Sequence, residues 1–126
     1  MRLLLDTCTL IWLITGERAL PDRVRRALAD ADVALSAASA WEMAIKYEKG
    51  TLRLNQPPAR LIPAVRERYG VAPLPIDEES ALHVARLPAL HADPFDRMLV
   101  SQAIVHGLTI VTPDPLVTQY PARTLW

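Results

Sequence analysis

RLLLDTCTL, residues 2–10, is the stretch that decides the fold. Leu3–Leu5 is a short apolar run of the kind carried by a strand buried on both faces. The run stops at Asp6, and an almost wholly apolar helical pattern over Thr9–Thr15 follows at once. A short buried strand passing directly into a helix opens a β–α unit. The same order returns in LTIVTPDPL, residues 108–116. There the apolar run reaches Asp114 through Thr112, and Pro115 suits the first position of a helix.

Working outward, strand-like runs lie at Leu3–Leu5, Val33–Leu35, Pro73–Ile76, Leu108–Val111 and Ala122–Leu125. Helical patterns separate them at Thr9–Thr15, Asp22–Asp30, Ser39–Lys49, Pro58–Tyr69, Glu78–Leu87 and Pro94–His106. In Asp22–Asp30, Val24, Ala27 and Leu28 form one face, and Arg23, Arg25 and Arg26 lie on others. Gly50, Gly70 and Gly107 stand where helix C-termini need a left-handed residue. Strands alternating with helices predict an α/β fold with a mainly parallel central sheet of about five short strands flanked by helices. Residues 1–126 read as one domain, without repeat, linker or low-complexity segment.

Hydrophobic residues make up 51% of the chain and charged residues 22%, which excludes a disordered protein. Lys plus Arg equals Asp plus Glu at 14 each, so any nucleic-acid contact must be local and not a global basic footprint. Cys8 is the one cysteine and has no disulfide partner within the chain, which fits a reducing compartment. No Cys/His cluster suggests zinc. No apolar run reaches the roughly 20 residues of a membrane span, and the early run Cys8–Ile14 lacks a cleavage-site pattern. A cytoplasmic location without membrane contact is the expectation.

Four acids fall at the junctions just described: Asp6, Glu42, Asp96 and Asp114. Each has a local structural reading. Ser39-Ala-Trp-Glu42 matches a capping box, with Glu42 reaching back to the N-cap amide. Asp93-Pro94-Phe95-Asp96 offers Asp93 as N-cap and Pro94 at the next position. Asp6 and Asp114 suit N-caps too. Their joint placement says more, because in a parallel sheet these positions share one edge, outside the carboxyl ends of the strands. Carboxylates gathered there repel, by roughly 4 kcal/mol for a pair about 4 Å apart at an effective dielectric near 20. A divalent cation removes that repulsion, and oxygen-only ligands suit Mg²⁺ or Mn²⁺. The pattern points to a metal-dependent enzyme acting on phosphate esters.

Other polar residues carry weaker signals. Thr7 and Thr112 flank the same edge and suit a helix-start hydroxyl or a contact to phosphate or bound water. Lys46 stands one turn after Glu42, the spacing of an i,i+4 ion pair, and is also a candidate for substrate contact. Arg97 and His91 lie beside the acidic segment, as candidates for substrate contact. Trp12 and Trp41 read as core residues, Trp126 as an anchor for the terminal segment, and Cys8 as a small buried residue.

Four blocks together, MRLLLDTCTLIWLI, LSAASAWEMAIKYEKGTL, HADPFDRMLVSQAIVHGLTIVTPD and TQYPARTLW, resemble PIN-domain proteins, and more narrowly the VapC-type toxins of bacterial type II toxin–antitoxin systems. The resemblance covers nearly the whole chain in order and spacing. It implies a Mg²⁺- or Mn²⁺-dependent endoribonuclease that forms a homodimer and is inhibited by a cognate antitoxin. By motif, Asp6, Glu42, Asp96 and Asp114 correspond to the family's four acids, with Asp93 auxiliary to the third. Asp6 and Asp96 would be the main metal ligands, with Glu42 and Asp114 as further ones. The competing readings are weaker. An aspartyl-phosphate enzyme needs a second acid two residues after Asp6, where Cys8 stands, or paired acids after the first strand. A non-catalytic module does not explain the intact acids. A PIN nuclease outside toxin–antitoxin biology, acting in RNA processing, remains the alternative.

Overall fold

Alternation along the first strand divides the core in two. The structure, a computed structural model, describes every residue from Met1 to Trp126. Strand β1 is Arg2–Leu5, and its side chains alternate between sheet faces. Leu3 and Leu5 join a cluster with Leu10, Val24, Val33, Leu35, Met43, Ile62, Val65 and Val111. Leu4 joins the other, with Leu87, Leu99, Val100, Ala103, Ile110, Val117 and Tyr120. A strand buried on both faces has no polar face to alternate with, which is why it reads as an unbroken leucine run.

The remaining strands are β2 (Asp32–Ser36), β3 (Ala72–Leu74), β4 (Thr109–Val111) and β5 (Thr124–Leu125). All neighbours pair in parallel, in the order β3-β2-β1-β4-β5. Leu3 is in register with Val33 on one side and Thr109 on the other. The helices are α1 (Thr7–Thr15), α2 (Asp22–Asp30), α3 (Ala37–Glu48), α4 (Pro58–Tyr69), α5 (Glu78–His83), α6 (Pro94–His106) and α7 (Pro115–Thr118). The first of the two core clusters draws on α1 to α4, and the second mainly on α6 and α7. None of the helices is long and apolar enough to cross a membrane.

The order of connection matters for function. From β1 the chain steps outward to β2 and β3, then returns to the far side of β1 for β4 and β5. The reversal leaves a crevice beside the carboxyl end of β1, the usual ligand position in open α/β sheets. Asp6 stands at that end.

Several boundaries differ from the sequence expectation for identifiable reasons. The strand expected over Pro73–Ile76 ends at Leu74, since Pro75 has no N–H for the ladder, and its carbonyl is taken by Gln102 Nε2 at 2.9 Å. The strand expected over Ala122–Leu125 keeps only Thr124–Leu125, because Ala122 turns back on the Tyr120 carbonyl at 2.8 Å. The helix expected over Glu78–Leu87 tightens to a 3₁₀ turn at Val84–Arg86, and Leu87, just before Pro88, is extended. Gly70 and Gly107 do end their helices in the left-handed region, at φ 64° and 68°.

Candidate active site

Helix starts deliver the acids to the carboxyl edge of the sheet. Asp6 caps α1, its Oδ1 accepting from the Thr7 amide at 2.7 Å. Its Oδ2 accepts from Thr112 Oγ1 at 2.6 Å and from Cys8 Sγ at 3.4 Å. Thr112 Oγ1 accepts in turn from the Asp114 amide at 3.0 Å, so one hydroxyl ties the loop after β4 to the acid after β1. Asp114 caps α7 by accepting from the Leu116 amide at 2.9 Å. Asp93 caps α6, its Oδ1 accepting from the amides of Phe95 at 2.9 Å and Asp96 at 3.0 Å. Asp96, in the first turn of α6, accepts a contact from His91 Nε2 at 3.0 Å on its Oδ2.

Glu42 arrives differently. The capping box expected from Ser39 to Glu42 does not form, because α3 begins three residues earlier. Ser36 is the N-cap, its Oγ accepting from the Ala38 amide at 3.0 Å and donating to Gln102 Oε1 at 2.6 Å. Ser39 lies inside the helix and accepts from Thr7 Oγ1 at 3.0 Å. Glu42, in the second turn, is free of the backbone and turns inward, only 4% exposed. Its Oε2 accepts from Lys46 Nζ at 2.5 Å, the ion pair expected at that spacing. Its Oε1 is buried with no hydrogen-bond partner, and no other buried side-chain oxygen or nitrogen in the chain lacks one. An unpaired buried carboxylate oxygen costs folding energy and so points to a use.

The acids share one electrostatic field. Burial pushes Asp6 above the usual carboxylate range, and Asp114 adds to the rise. Burial likewise pushes Asp96 up to about 6, with the charges of Asp93, Asp6 and Glu42 adding and the His91 hydrogen bond opposing. Lys46 is held above its ordinary value, first by its hydrogen bond to Glu42 and also by Glu42, Asp93 and Asp96 as charges. A cation at this edge is thus favoured by several carboxylates at once. As the side chains stand, no three of the chain's His, Cys, Asp and Glu residues lie at ion-holding spacing. Each acid is turned toward a protein partner: Thr112, Lys46, His91 or a helix amide. The donor set is nonetheless all oxygen, and Glu42 Oε1 is an unused donor within it, which suits a hard dication.

Other expected roles change once the contacts are known. Arg97 is not free for substrate: it donates to the carbonyls of Pro88 at 2.9 Å and Val84 at 3.2 Å, and to Tyr120 Oη at 2.9 Å. It pins the 3₁₀ turn to α6. Trp41, expected in the core, is 58% exposed, with its ring edge-on to Phe95 at 5.1 Å between centroids. It precedes Glu42 on α3, so turning Glu42 inward turns Trp41 out. Trp12 is partly buried and meets Trp126 edge-on at 5.6 Å, which anchors the terminal segment. The Cys8 thiol is pushed up to about 12 by burial and by Asp6, so it stays neutral and serves as a donor to Asp6. Sequence reading missed Tyr120, which is buried and bonded to both His91 and Arg97. The apolar cavity lined by Leu5, Leu13, Leu28, Val33, Arg25 and Arg68 among others contains none of the four acids.

Comparison with known proteins agrees with this architecture. Residues 3–121 match the model of the PIN domain. Over 106 residues the chain is 35% identical to "Ribonuclease VapC16" of Mycobacterium tuberculosis, covering 66% of this chain and 74% of the relative. Among solved structures, VapBC2 from Rickettsia felis bound to a promoter DNA fragment superposes with a TM-score of 0.75 at 15% identity, covering 99% of this chain and 98% of that one. DNA-bound VapBC from Salmonella typhimurium superposes with a TM-score of 0.70 at 22% identity, covering 99% and 97%. The structural matches speak for the fold, and the sequence matches for descent. The chain belongs to the PIN-domain family, in its VapC-type branch.

Proposed function

We propose that this protein is an endoribonuclease that hydrolyses RNA phosphodiesters with the help of Mg²⁺, or Mn²⁺ in its place, as the toxin of a type II toxin–antitoxin pair. The observation that carries this reading is the buried, unpaired Glu42 Oε1 inside a field set up by Asp6 and Asp96, carboxyls whose ionisation burial opposes. Asp6 and Asp96 would hold the cation, with Glu42 and Asp114 as further ligands and Asp93 fixing the start of α6. When bound, the cation neutralises charge on the scissile phosphate and lowers the pKa of water. The rest falls to the chain's own groups. Glu42 has a free oxygen with which to orient or deprotonate the attacking water. Water adds across one P–O ester bond and the leaving oxygen takes the proton. Lys46, half exposed and paired to Glu42, is placed to swing onto a substrate phosphate once Glu42 engages a cation. Thr7 and Thr112 hold the edge in register from either side of Asp6.

An edge site outside the apolar cavity beside Leu5 suits a polymer, which lies across a surface, better than a small enclosed substrate. The relative's name, a VapC ribonuclease, supports RNA as that polymer. The structural neighbours, solved as VapBC complexes, support a cognate antitoxin as partner. We place an antitoxin segment along the helices near Trp12 and Trp41, with an Arg or Lys paired to Asp6, Glu42 or Asp96. A homodimer belongs to the same proposal. The test is expression with and without the adjacent reading frame. Growth arrest with RNA cleavage by the chain alone, both relieved by its neighbour's product, is the expected result. No cleavage by the folded chain in Mg²⁺ or Mn²⁺ overturns the nuclease reading. Cleavage with no inhibitory neighbour overturns only the toxin reading.

A further inference from the structure

Asp96 stands at the end of a hydrogen-bond chain that neither the four-acid arrangement nor helix capping requires. Arg97 Nη1 lies 2.9 Å from Tyr120 Oη. Tyr120 Oη lies 2.7 Å from His91 Nδ1. His91 Nε2 lies 3.0 Å from Asp96 Oδ2. Tyr120 is 3% exposed, and the His91 ring tilts against the Tyr120 ring with centroids 5.4 Å apart.

Donor counting fixes the direction of this chain. A guanidinium has only donors, so Tyr120 Oη must accept from Arg97. Tyr120 then has its own proton to place, and His91 Nδ1 is its other partner. Were Nδ1 protonated, the buried tyrosine hydroxyl would face two donors and its proton would have no acceptor. Nδ1 is therefore the acceptor, the ring proton sits on Nε2, and Nε2 donates to Asp96 Oδ2. The guanidinium has no acceptor to offer in any orientation, and it is fixed in place by two further N–H groups that donate to the Pro88 and Val84 carbonyls.

We propose that His91 is a positioning residue for Asp96, locked as its Nε2–H tautomer by Tyr120 and Arg97, so that Oδ2 is tied back and Oδ1 is presented to the ligand. Asp96 Oδ1 has no protein hydrogen bond and is not sealed from solvent, whereas Oδ2 is held. This proposal rests on the metal-site reading of Asp96. It assigns a role to three residues, from the loop before α6, from α6 and from the segment after α7, that touch neither substrate nor metal. Arg97 and His91, which sequence alone offered as substrate contacts, become the two ends of a support for one carboxylate. Outer partners of metal-ligating carboxylates typically change metal affinity by about 10–100-fold when removed.

The experiment uses the whole purified protein and two readouts. Long-range ¹H–¹⁵N correlation on the His91 ring at pH 8 reports the tautomer without metal, and Mn²⁺ titration followed by electron paramagnetic resonance reports affinity. The wild type should show a protonated Nε2 and a bare Nδ1. Tyr120→Phe, which keeps the ring and its packing, should mix the tautomers and weaken Mn²⁺ binding several-fold. His91→Ala should weaken it about 10–100-fold at an unchanged fold, and His91→Gln, which can still donate to Oδ2, should recover most of the loss. A proton on Nδ1 in the wild type overturns the proposal, as does a folded His91→Ala that binds Mn²⁺ as tightly as the wild type. A wild type showing the Nε2–H tautomer but no Mn²⁺ binding overturns the metal reading of Asp96, and the positioning role with it, while the direction of the relay stands.

Discussion

Replacing Asp96 by Asn should make the metal-free protein more stable while removing its activity. Asp96 is 9% exposed, and its carboxyl titrates at about 6 instead of the ordinary 3.8. A group whose folded-state value lies above its unfolded value supports the fold only while protonated. That support is complete below about pH 4 and is lost as pH rises through about 6. At neutral pH the ionised Asp96 therefore burdens the fold by about 2 kcal/mol, once solvent screening at its open edge is allowed for. The groups that face it are His91, which relieves the burden, Asp93, Asp6 and Glu42, which add to it, and Lys46, which shares their field. Asn is isosteric, stays neutral, and can still accept from His91 Nε2 through its carbonyl. In EDTA at pH 7.5, Asp96→Asn should melt roughly 8 °C above the wild type, as expected for about 2 kcal/mol in a chain of this size. At pH 4.5 the gain should shrink to about a third, because the folded-state carboxyl is then neutral and only the cost of protonating it from its still largely ionised unfolded state remains. Circular dichroism melts at the two pH values suffice. A variant that melts at or below the wild type at pH 7.5, or a gain that does not change with pH, would refute the electrostatic account of this site.

Four further predictions follow from the same geometry. Asp6→Ala and Asp96→Ala should each abolish RNA cleavage and growth arrest with an unchanged circular dichroism spectrum; near-normal cleavage by either removes its assignment as a ligand. Mg²⁺ at ten times its Kd should raise stability at pH 7.5 by about 1.4 kcal/mol, read as a higher Tm than in EDTA, and identical melts would count against a preformed acidic site. Lys46→Ala should raise KM for RNA more than it lowers kcat, since Lys46 is proposed to bind phosphate and not to react; a loss confined to kcat contradicts that role. Arg97→Lys should lower stability by about 1–2 kcal/mol in urea melts, because an ammonium cannot span the Pro88 and Val84 carbonyls and Tyr120 together; no change would mean the fork is dispensable.

The parts of the molecule that sequence made legible are those written in one local stretch. Leu3–Leu5 reads as a strand because burial on both faces leaves no polar position to break the run. Asp6, Asp93 and Asp114 read as caps because each is followed at once by a helix, and the amides they accept from lie within three residues. The acids could be grouped because parallel topology alone brings strand ends to one edge. What was not legible depends on distant partners. Ser36 and Ser39 both suit an N-cap, and the choice of Ser36 is supported by Gln102, 66 residues away. Tyr120 lies 29 residues from His91, in a segment with no motif of its own. Arg97 resembles any solvated arginine until the turn at Val84–Pro88 folds against it. Trp41 was misread because large aromatics are usually buried, whereas here the inward position on α3 belongs to Glu42.

If these carboxylates form a divalent-cation site for RNA hydrolysis, cleavage must follow both the cation and the acids. The purified chain is incubated with RNA in EDTA and then across a Mg²⁺ titration, beside Asp6→Asn and Asp96→Asn at matched foldedness. The expected result is no cleavage in EDTA, cleavage by the wild type that saturates with Mg²⁺, and none by either variant at any Mg²⁺ concentration. Undiminished cleavage in EDTA, or full activity in either variant, would contradict it.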